Sequence, residues 1–349
     1  MYLLSLATAS PKNTYTQEDC FNIFADSDAK KRLKERSVSI MEKVLLRDNG
    51  IHSRRFSYPD VETIFDATPE KLNNVFEQEA PALGAEALRT AMDKAGLKAA
   101  EIDALIVCTC TGYLCPGLSS FIAEQTGLQP NCELSDLIGM GCGAAIPSLR
   151  TAYHRLQANP ELKVAVVAVE ICSAAFYLDD DPGVIISACL FGDGAAATIW
   201  SGTPPPFPTW EAGLFDSLHI PEKRQLLRFE NAGGALRNRL SRRVPEEAAT
   251  AVRSLFDQSV KMDQHTADAH ILPHTGGRDV LDALGQQFDG NQFPDSRCIL
   301  REFGNMSSPS VLFVLDACMN TNSHESSDRL WLTSFGAGFS AYGCALKQT

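Results

Sequence analysis

The sequence predicts an α/β protein made of two duplicated halves, and three observations carry that prediction. Continuous apolar runs such as Val164-Ala165-Val166-Val167-Ala168-Val169 read as strands buried on both faces. Helical patterns precede them. A glycine-bearing turn that enters a helix occurs once in each part of the chain, in the same order relative to those strands, which is the mark of an internal repeat.

Residues 2–7 read as a first strand, being too short and too poor in basic residues for a secretory leader. Residues 27–49 follow as one charged helix ending in Lys43, Arg47, Asn49 and Gly50, with Arg54 and Arg55 just beyond. Those cations suit either a solvated helix end or a rim that binds phosphate. Leu83, Ala87, Leu88, Ala91 and Met92 recur at helical spacing, so a helix is expected over 83–95; Gly96 stops it, and residues 102–109 form a buried strand. A loop with Gly112, Pro116 and Gly117 leads to a short helix, 119–125.

The chain then reaches Gly139-Met140-Gly141-Cys142-Gly143, followed by Ile146, Leu149, Tyr153 and Leu156 at helical spacing with Pro147 in the first turn, where it costs no hydrogen bond. Cys142 therefore stands at or beside a helix start. It suits a small buried core residue or a nucleophile whose thiolate the helix end would favour.

Asp179-Asp180-Asp181-Pro182 reads as a solvated turn or, less simply, a cation site. Leu190-Phe191-Gly192-Asp193-Gly194 turns into another strand, and the prolines within 202–208 mark the expected boundary between an N-terminal half, 1–202, and a C-terminal half, 203–349. In the second half a helix over 246–259, the strand 269–273, a turn through Asn305 into a helix at 310–318, and the opening of the last strand by Gly336-Ala337-Gly338 repeat the first. Thr111 to Cys142 and His274 to Asn305 span the same distance, 142 − 111 = 305 − 274 = 31 residues. If the halves pack about a pseudo-dyad, Cys142, His274 and Asn305 converge. Each alone has a plainer reading, as a satisfied polar residue or a helix cap.

Composition narrows the classes. With 44% hydrophobic and 21% charged residues and no apolar run of membrane length, the chain reads as an ordinary globular protein of the cytoplasm. Eleven cysteines, an odd number in apolar surroundings, argue for free thiols, and their spacing does not fit a zinc site. A net charge of −12 argues against nucleic acid as a partner.

The stretches around Gly141-Cys142, Phe191-Gly192-Asp193-Gly194, His274-Thr275-Gly276-Gly277, Gly304-Asn305-Met306-Ser307-Ser308 and Phe335-Gly336-Ala337-Gly338 resemble the thiolase-fold condensing enzymes. Among these the chain is similar to the type III polyketide synthases, the chalcone synthase-like family, over nearly its whole length. The resemblance implies a layered αβαβα arrangement and a homodimer. It implies Cys142 as the acyl acceptor, with His274 and Asn305 holding the thioester oxygen of malonyl-CoA during decarboxylation. Phe191 matches a gatekeeping aromatic and Ser307 a cavity position; Glu170, Gly336 and Gly338 join them as substrate-binding positions, and Cys115 lies on a loop that reaches the partner subunit. Lys43, Arg47, Arg54 and Arg55 are the cations offered to CoA. CoA thioesters would be substrates, and no cofactor or metal is implied.

The chain departs from plant members at Asn238, where an aromatic gatekeeper is usual, at Cys110 and Cys172 in place of threonines, at Ser187 in place of glycine, and at Ser334 and Ala337. These departures point to a bacterial-type member with an aliphatic acyl-CoA starter and a pyrone or resorcinol product. Alternatives are a malonyl-primed tetrahydroxynaphthalene synthase, a single condensation of the ketoacyl synthase III kind, and a non-catalytic acyl-CoA binder.

Overall fold

The structure is a computed structural model that describes residues 1–176, 178–321, 323 and 327–349. Its centre is a nine-stranded mixed sheet whose order is His270–Pro273, Arg329–Gly336, Ser340–Gln348, Trp210–His219, Tyr2–Ala9, Gly194–Ser201, Lys163–Glu170, Ala104–Thr109 and Glu133–Ile138. Within the sheet the two halves join where Tyr2–Ala9 pairs with Trp210–His219, in register at Tyr2 opposite Glu211. Outward from that seam each half runs antiparallel, antiparallel, then parallel: Tyr2–Ala9, Gly194–Ser201, Lys163–Glu170 and Ala104–Thr109 in one, Trp210–His219, Ser340–Gln348, Arg329–Gly336 and His270–Pro273 in the other. The N-terminal half adds Glu133–Ile138 at its edge.

Side-chain alternation along the strands builds the layers. Ala104, Ile106 and Cys108 face a central layer that holds the helices Ala145–Ala158 and Ser310–Thr321. Leu105 and Val107 face outward, onto the helix Pro69–Ala95. On the other half, Ile271, Trp331 and Phe335 pack outward against the helices Val244–Met262 and Arg278–Gln287. Helix, sheet, helix, sheet, helix is the expected stacking.

Several elements differ from expectation. The helix expected over 83–95 begins at Pro69, capped by Thr68 and continuing through Pro81, a residue that on sequence grounds reads as a barrier. The single helix over 27–49 is two, Asp28–Arg32 and Glu35–Leu46, because Leu33 and Lys34 are extended. Asp180 explains the break: its carboxylate accepts from Lys34 N at 2.9 Å and Ser37 Oγ at 2.6 Å, capping the second helix from across the molecule. Asp181 caps Pro182–Leu190 through Gly183 N and, with Asp179, pairs with Arg237. The acidic loop is thus spent on caps and ion pairs. Gly336 ends one strand and Gly338 precedes the last one, so the C-terminal glycine run opens the last strand as expected and does so as a tight return from the strand before it.

Candidate active site

Cys142 lies in the turn Gly141–Gly143, between the end of the Glu133–Ile138 strand and the central helix Ala145–Ala158, and is 6% exposed. The C-terminal glycine return lies directly against it. A Cβ on Gly336 would stand 2.2 Å from Met140 O and 2.7 Å from Gly143 N, so only glycine lets the two halves approach there. Ser307 Oγ lies 3.3 Å from Cys142 Sγ and 3.2 Å from Cys110 Sγ. Ser307 is held in the left-handed region, φ 60°, and its N–H donates to Asn305 Oδ1 at 2.8 Å. An Asn side chain gripping the backbone two residues on is the local device that sustains such a conformation. Asn305 Nδ2 donates to Gly276 O at 3.5 Å, and Gly276 N to His274 O at 2.8 Å, so one chain of contacts joins the predicted residues.

Beneath this chain Glu170 is wholly buried. Its Oε2 accepts from Cys110 N, Thr111 N and the hydroxyls of Thr111 and Thr109, at 2.9, 3.1, 2.8 and 3.1 Å, while Oε1 accepts from Ser308 Oγ at 2.5 Å. Burial raises the Glu170 pKa and these donors oppose the rise, as expected for a carboxylate taken out of water. Glu170 therefore shapes the floor of the site, and Thr109 and Thr111, which the sequence reading did not single out as its partners, hold it.

Burial pushes the Cys142 thiol up to about 12, Ser307 pulling it down and Glu170 pushing it further up. Burial alone lowers His274 to about 3, and neither ring nitrogen has a hydrogen-bond partner among the described residues. Phe335 packs edge-on against the ring at 5.5 Å. Burial thus opposes the thiolate that the helix start favours and pushes the His274 imidazole toward its neutral form. Such an imidazole can take a proton through one nitrogen and donate an N–H through the other.

Phe191, Ser187, Cys172, Asn238 and Ser307 line one cavity together with Thr111, Phe176, Val184, Ala188 and Phe229. Asn238 Nδ2 donates to Ser187 Oγ at 3.0 Å. Phe229 was missed by sequence reading, yet a signal exists. The Gly233-Gly234 turn joins strands Leu227–Ala232 and Ala235–Leu240 and puts Phe229 opposite Asn238. Cys110 opens into a second, wider cleft with Gly141, Phe229 and Ala337, whereas Cys115 is exposed on its loop.

The four cations divide. Lys43 and Arg47 are exposed at the end of Glu35–Leu46. Arg55 is half-buried, donating to Ser10 Oγ at 2.6 Å with its guanidinium 4.4 Å from the Phe303 ring centre. Arg54 does not belong to any surface rim: it is 0% exposed and donates to backbone carbonyls inside the protein. A Cβ on Gly338 would meet Ser340 Oγ and the His219 ring, whereas one on Gly336 would meet the Cys142 turn.

Among known proteins, the chain is 28% identical over 338 residues to 1,3,6,8-tetrahydroxynaphthalene synthase of Streptomyces coelicolor, a match covering 95% of this chain and 88% of that one. It is 27% identical over 331 residues to the alpha-pyrone synthesis polyketide synthase-like Pks18 of Mycobacterium tuberculosis, covering 89% and 81%. The crystal structure of PKS-I from the brown alga Ectocarpus siliculosus shares the fold, with a TM-score of 0.89 at 23% identity over 99% of this chain and 98% of that one. Residues 264–348 match the 3-oxoacyl-(acyl-carrier-protein) synthase III C-terminal family. Residues 1–206, more than half of the chain and the part that carries Cys142, Glu170 and Phe191, match the family described as FAE1/Type III polyketide synthase-like protein, and to that family this chain belongs.

Proposed function

We propose that the chain loads an acyl group from an acyl-CoA onto Cys142, extends it by repeated decarboxylative condensation with malonyl-CoA, and releases a cyclised polyketide. The observation that carries this reading is the contact chain Cys142–Ser307–Asn305, which ties a buried thiol to an amide at the junction of two halves. In the loading step Cys142 Sγ attacks the thioester carbonyl, its proton passes to neutral His274, and CoA leaves as its thiol. Malonyl-CoA then loses CO2 while the N–H groups of His274 and Asn305 stabilise the enolate oxygen. Fixed donors at a developing oxyanion are commonly the largest catalytic contribution. The enolate carbon attacks the Cys142 thioester carbonyl, the bond to Sγ breaks to free Cys142 as its thiolate, and the lengthened β-ketoacyl-CoA hands its acyl group back to Cys142 with release of CoA, so the cycle repeats without a metal or organic cofactor.

Phe191 stands at the cavity wall as the gate, with Ser187, Cys172, Asn238 and Ser307 around the growing chain. Lys43, Arg47 and Arg55 are the cations we assign to the CoA phosphates. The apolar side chains of Val184, Ala188, Phe176 and Phe229 favour an aliphatic starter. Malonyl priming is the second reading, favoured by the compact thiols of Cys110 and Cys172 beside Ser307 and by the tetrahydroxynaphthalene synthases among the relatives.

A second copy of the chain is the partner we assign to the sheet edge. Glu133–Ile138 is the last strand, Leu134 and Ile138 are 41% and 45% exposed, and Tyr113, near Cys115, is 72% exposed. Such an edge invites strand pairing. No helix of the described residues is long and apolar enough to cross a membrane.

Mass spectrometry of products from malonyl-CoA and acyl-CoA starters of increasing length tests the reading. A polyketide extended more than once from an aliphatic starter is expected. A pentaketide from malonyl-CoA alone would favour the second reading, and a single extension dependent on an acyl carrier protein would overturn both.

A further inference from the structure

The Pro182–Leu190 helix ends inside the protein, where water is not at hand for its last carbonyls. Side chains from the N-terminal segment supply the missing donors. Arg54 Nη1 donates to Ala188 O at 2.7 Å and to Phe191 O at 2.9 Å; Gln17 Nε2 donates to Cys189 O at 3.0 Å. Arg54 Nε donates to Gln17 Oε1 at 3.0 Å, locking the two side chains together. A cation is the favoured occupant of a helix C-terminus, and this one is fully buried there.

The same stretch of backbone is gripped from the opposite side. Asn305 N donates to Leu190 O at 2.9 Å, and Gly192 N donates to Asn305 O at 3.0 Å. Gly304 brings the two grips into contact. Its φ is +70°, and a Cβ on it would stand 2.7 Å from Leu190 O and 3.0 Å from Arg54 Cγ. The aliphatic stem of Arg54 thus lies against the residue before Asn305 while its head holds the carbonyl of Phe191.

We propose that Arg54, with Gln17 orienting it, is a positioning residue that fixes Phe191 and Asn305 in their shared place beside the cavity. This rests on the proposed reaction. A shift of the order of 1 Å at an oxyanion donor costs about 100-fold, so the clamp should be felt in decarboxylation more than in binding. Cys142 belongs to another turn and should load normally.

The test measures two steps separately in Arg54→Met, Arg54→Lys and Gln17→Met enzymes: the rate of Cys142 acylation by acyl-CoA, and kcat and KM for malonyl-CoA decarboxylation. Arg54→Met should lower decarboxylation kcat roughly 10- to 100-fold, with KM and acylation changed less than about threefold. Arg54→Lys should recover part of the loss, since an ammonium still reaches one carbonyl, and Gln17→Met should show the same pattern more weakly. If Arg54→Met does not fold, the Gln17→Met kcat-against-KM split decides the matter. Acylation and decarboxylation falling together, or neither changing, would overturn the inference. Wild-type enzyme that neither acylates nor decarboxylates would instead sink the proposed reaction, and this inference with it.

Discussion

In the N-terminal half the chain leaves the Lys163–Glu170 strand and travels through residues 171–193 before returning antiparallel as Gly194–Ser201. In the C-terminal half Arg329–Gly336 returns as Ser340–Gln348 through residues 337–339 alone. The same pairing is closed by a long detour in one half and a tight return in the other. The detour holds Cys172, Ser187 and Phe191 and so walls the cavity. The tight return offers Ala337 to the wider cleft beside Gly141, and Gly336 at its start lets the backbone lie on the Cys142 turn. Unequal connections in two similarly paired halves thus give the cavity wall to one half and a close backbone support of the Cys142 turn to the other.

The largest effect should come from cutting the C-terminal contribution while leaving the N-terminal one whole. Asn305→Ala should slow malonyl-CoA decarboxylation roughly 100- to 1,000-fold while Cys142 still loads. Asn305→Asp keeps an acceptor for the Ser307 N–H but loses the amide donor, and should show the same loss; stopped assays of CO2 release and of covalent loading measure the two steps.

Next is Gly336→Ala, which forces the tight return off the Cys142 turn. Overpacking of this kind costs about 1–3 kcal/mol, so chemical denaturation should show a stability loss of that size. Loading of Cys142 should fall with it by roughly tenfold, the displacement at the reacting thiol being the cause.

The effect that is smallest, taken per pH unit, separates the halves by pH. His274 titrates near 3 in the fold against an ordinary 6.5, so between those values the unfolded chain binds more protons, and stability is lost as pH falls. Asp193, raised by burial to about 6 from an ordinary 3.8, acts in the opposite sense. Wild type and His274→Gln share Asp193, so their difference isolates the histidine: the variant should lose up to about 1.4 kcal/mol less per pH unit on acidification below 6.5, measured by urea unfolding.

The strands, the repeat and the turn at Cys142 were legible because each follows from local patterning. Ala104, Ile106 and Cys108 alternate with Leu105 and Val107, and Cys142 sits among glycines before a periodic run. What could not be read depends on contacts made across the chain. Asp180 breaks a helix 143 residues away in sequence from its Ser37 partner, and Arg54, one residue from half-buried Arg55, has its head inside the protein. Burial also pushes the Cys142 thiol up, against the thiolate that a helix start favours, and exclusion from water is not written in the local sequence. Side-chain direction and solvent exclusion are properties of the packed fold, and periodicity carries neither.

The most direct test of the division between the halves is peptide mass mapping of the enzyme after brief incubation with an acyl-CoA and no malonyl-CoA. Three buried thiols, Cys142, Cys110 and Cys172, lie around Ser307 and the cavity, so the site of attachment discriminates. The account predicts one acyl group on the peptide carrying Cys142, absent from Cys142→Ala and retained in Asn305→Ala. An acyl group on Cys110 or Cys172 in the wild type, or attachment that survives in Cys142→Ala, would contradict it.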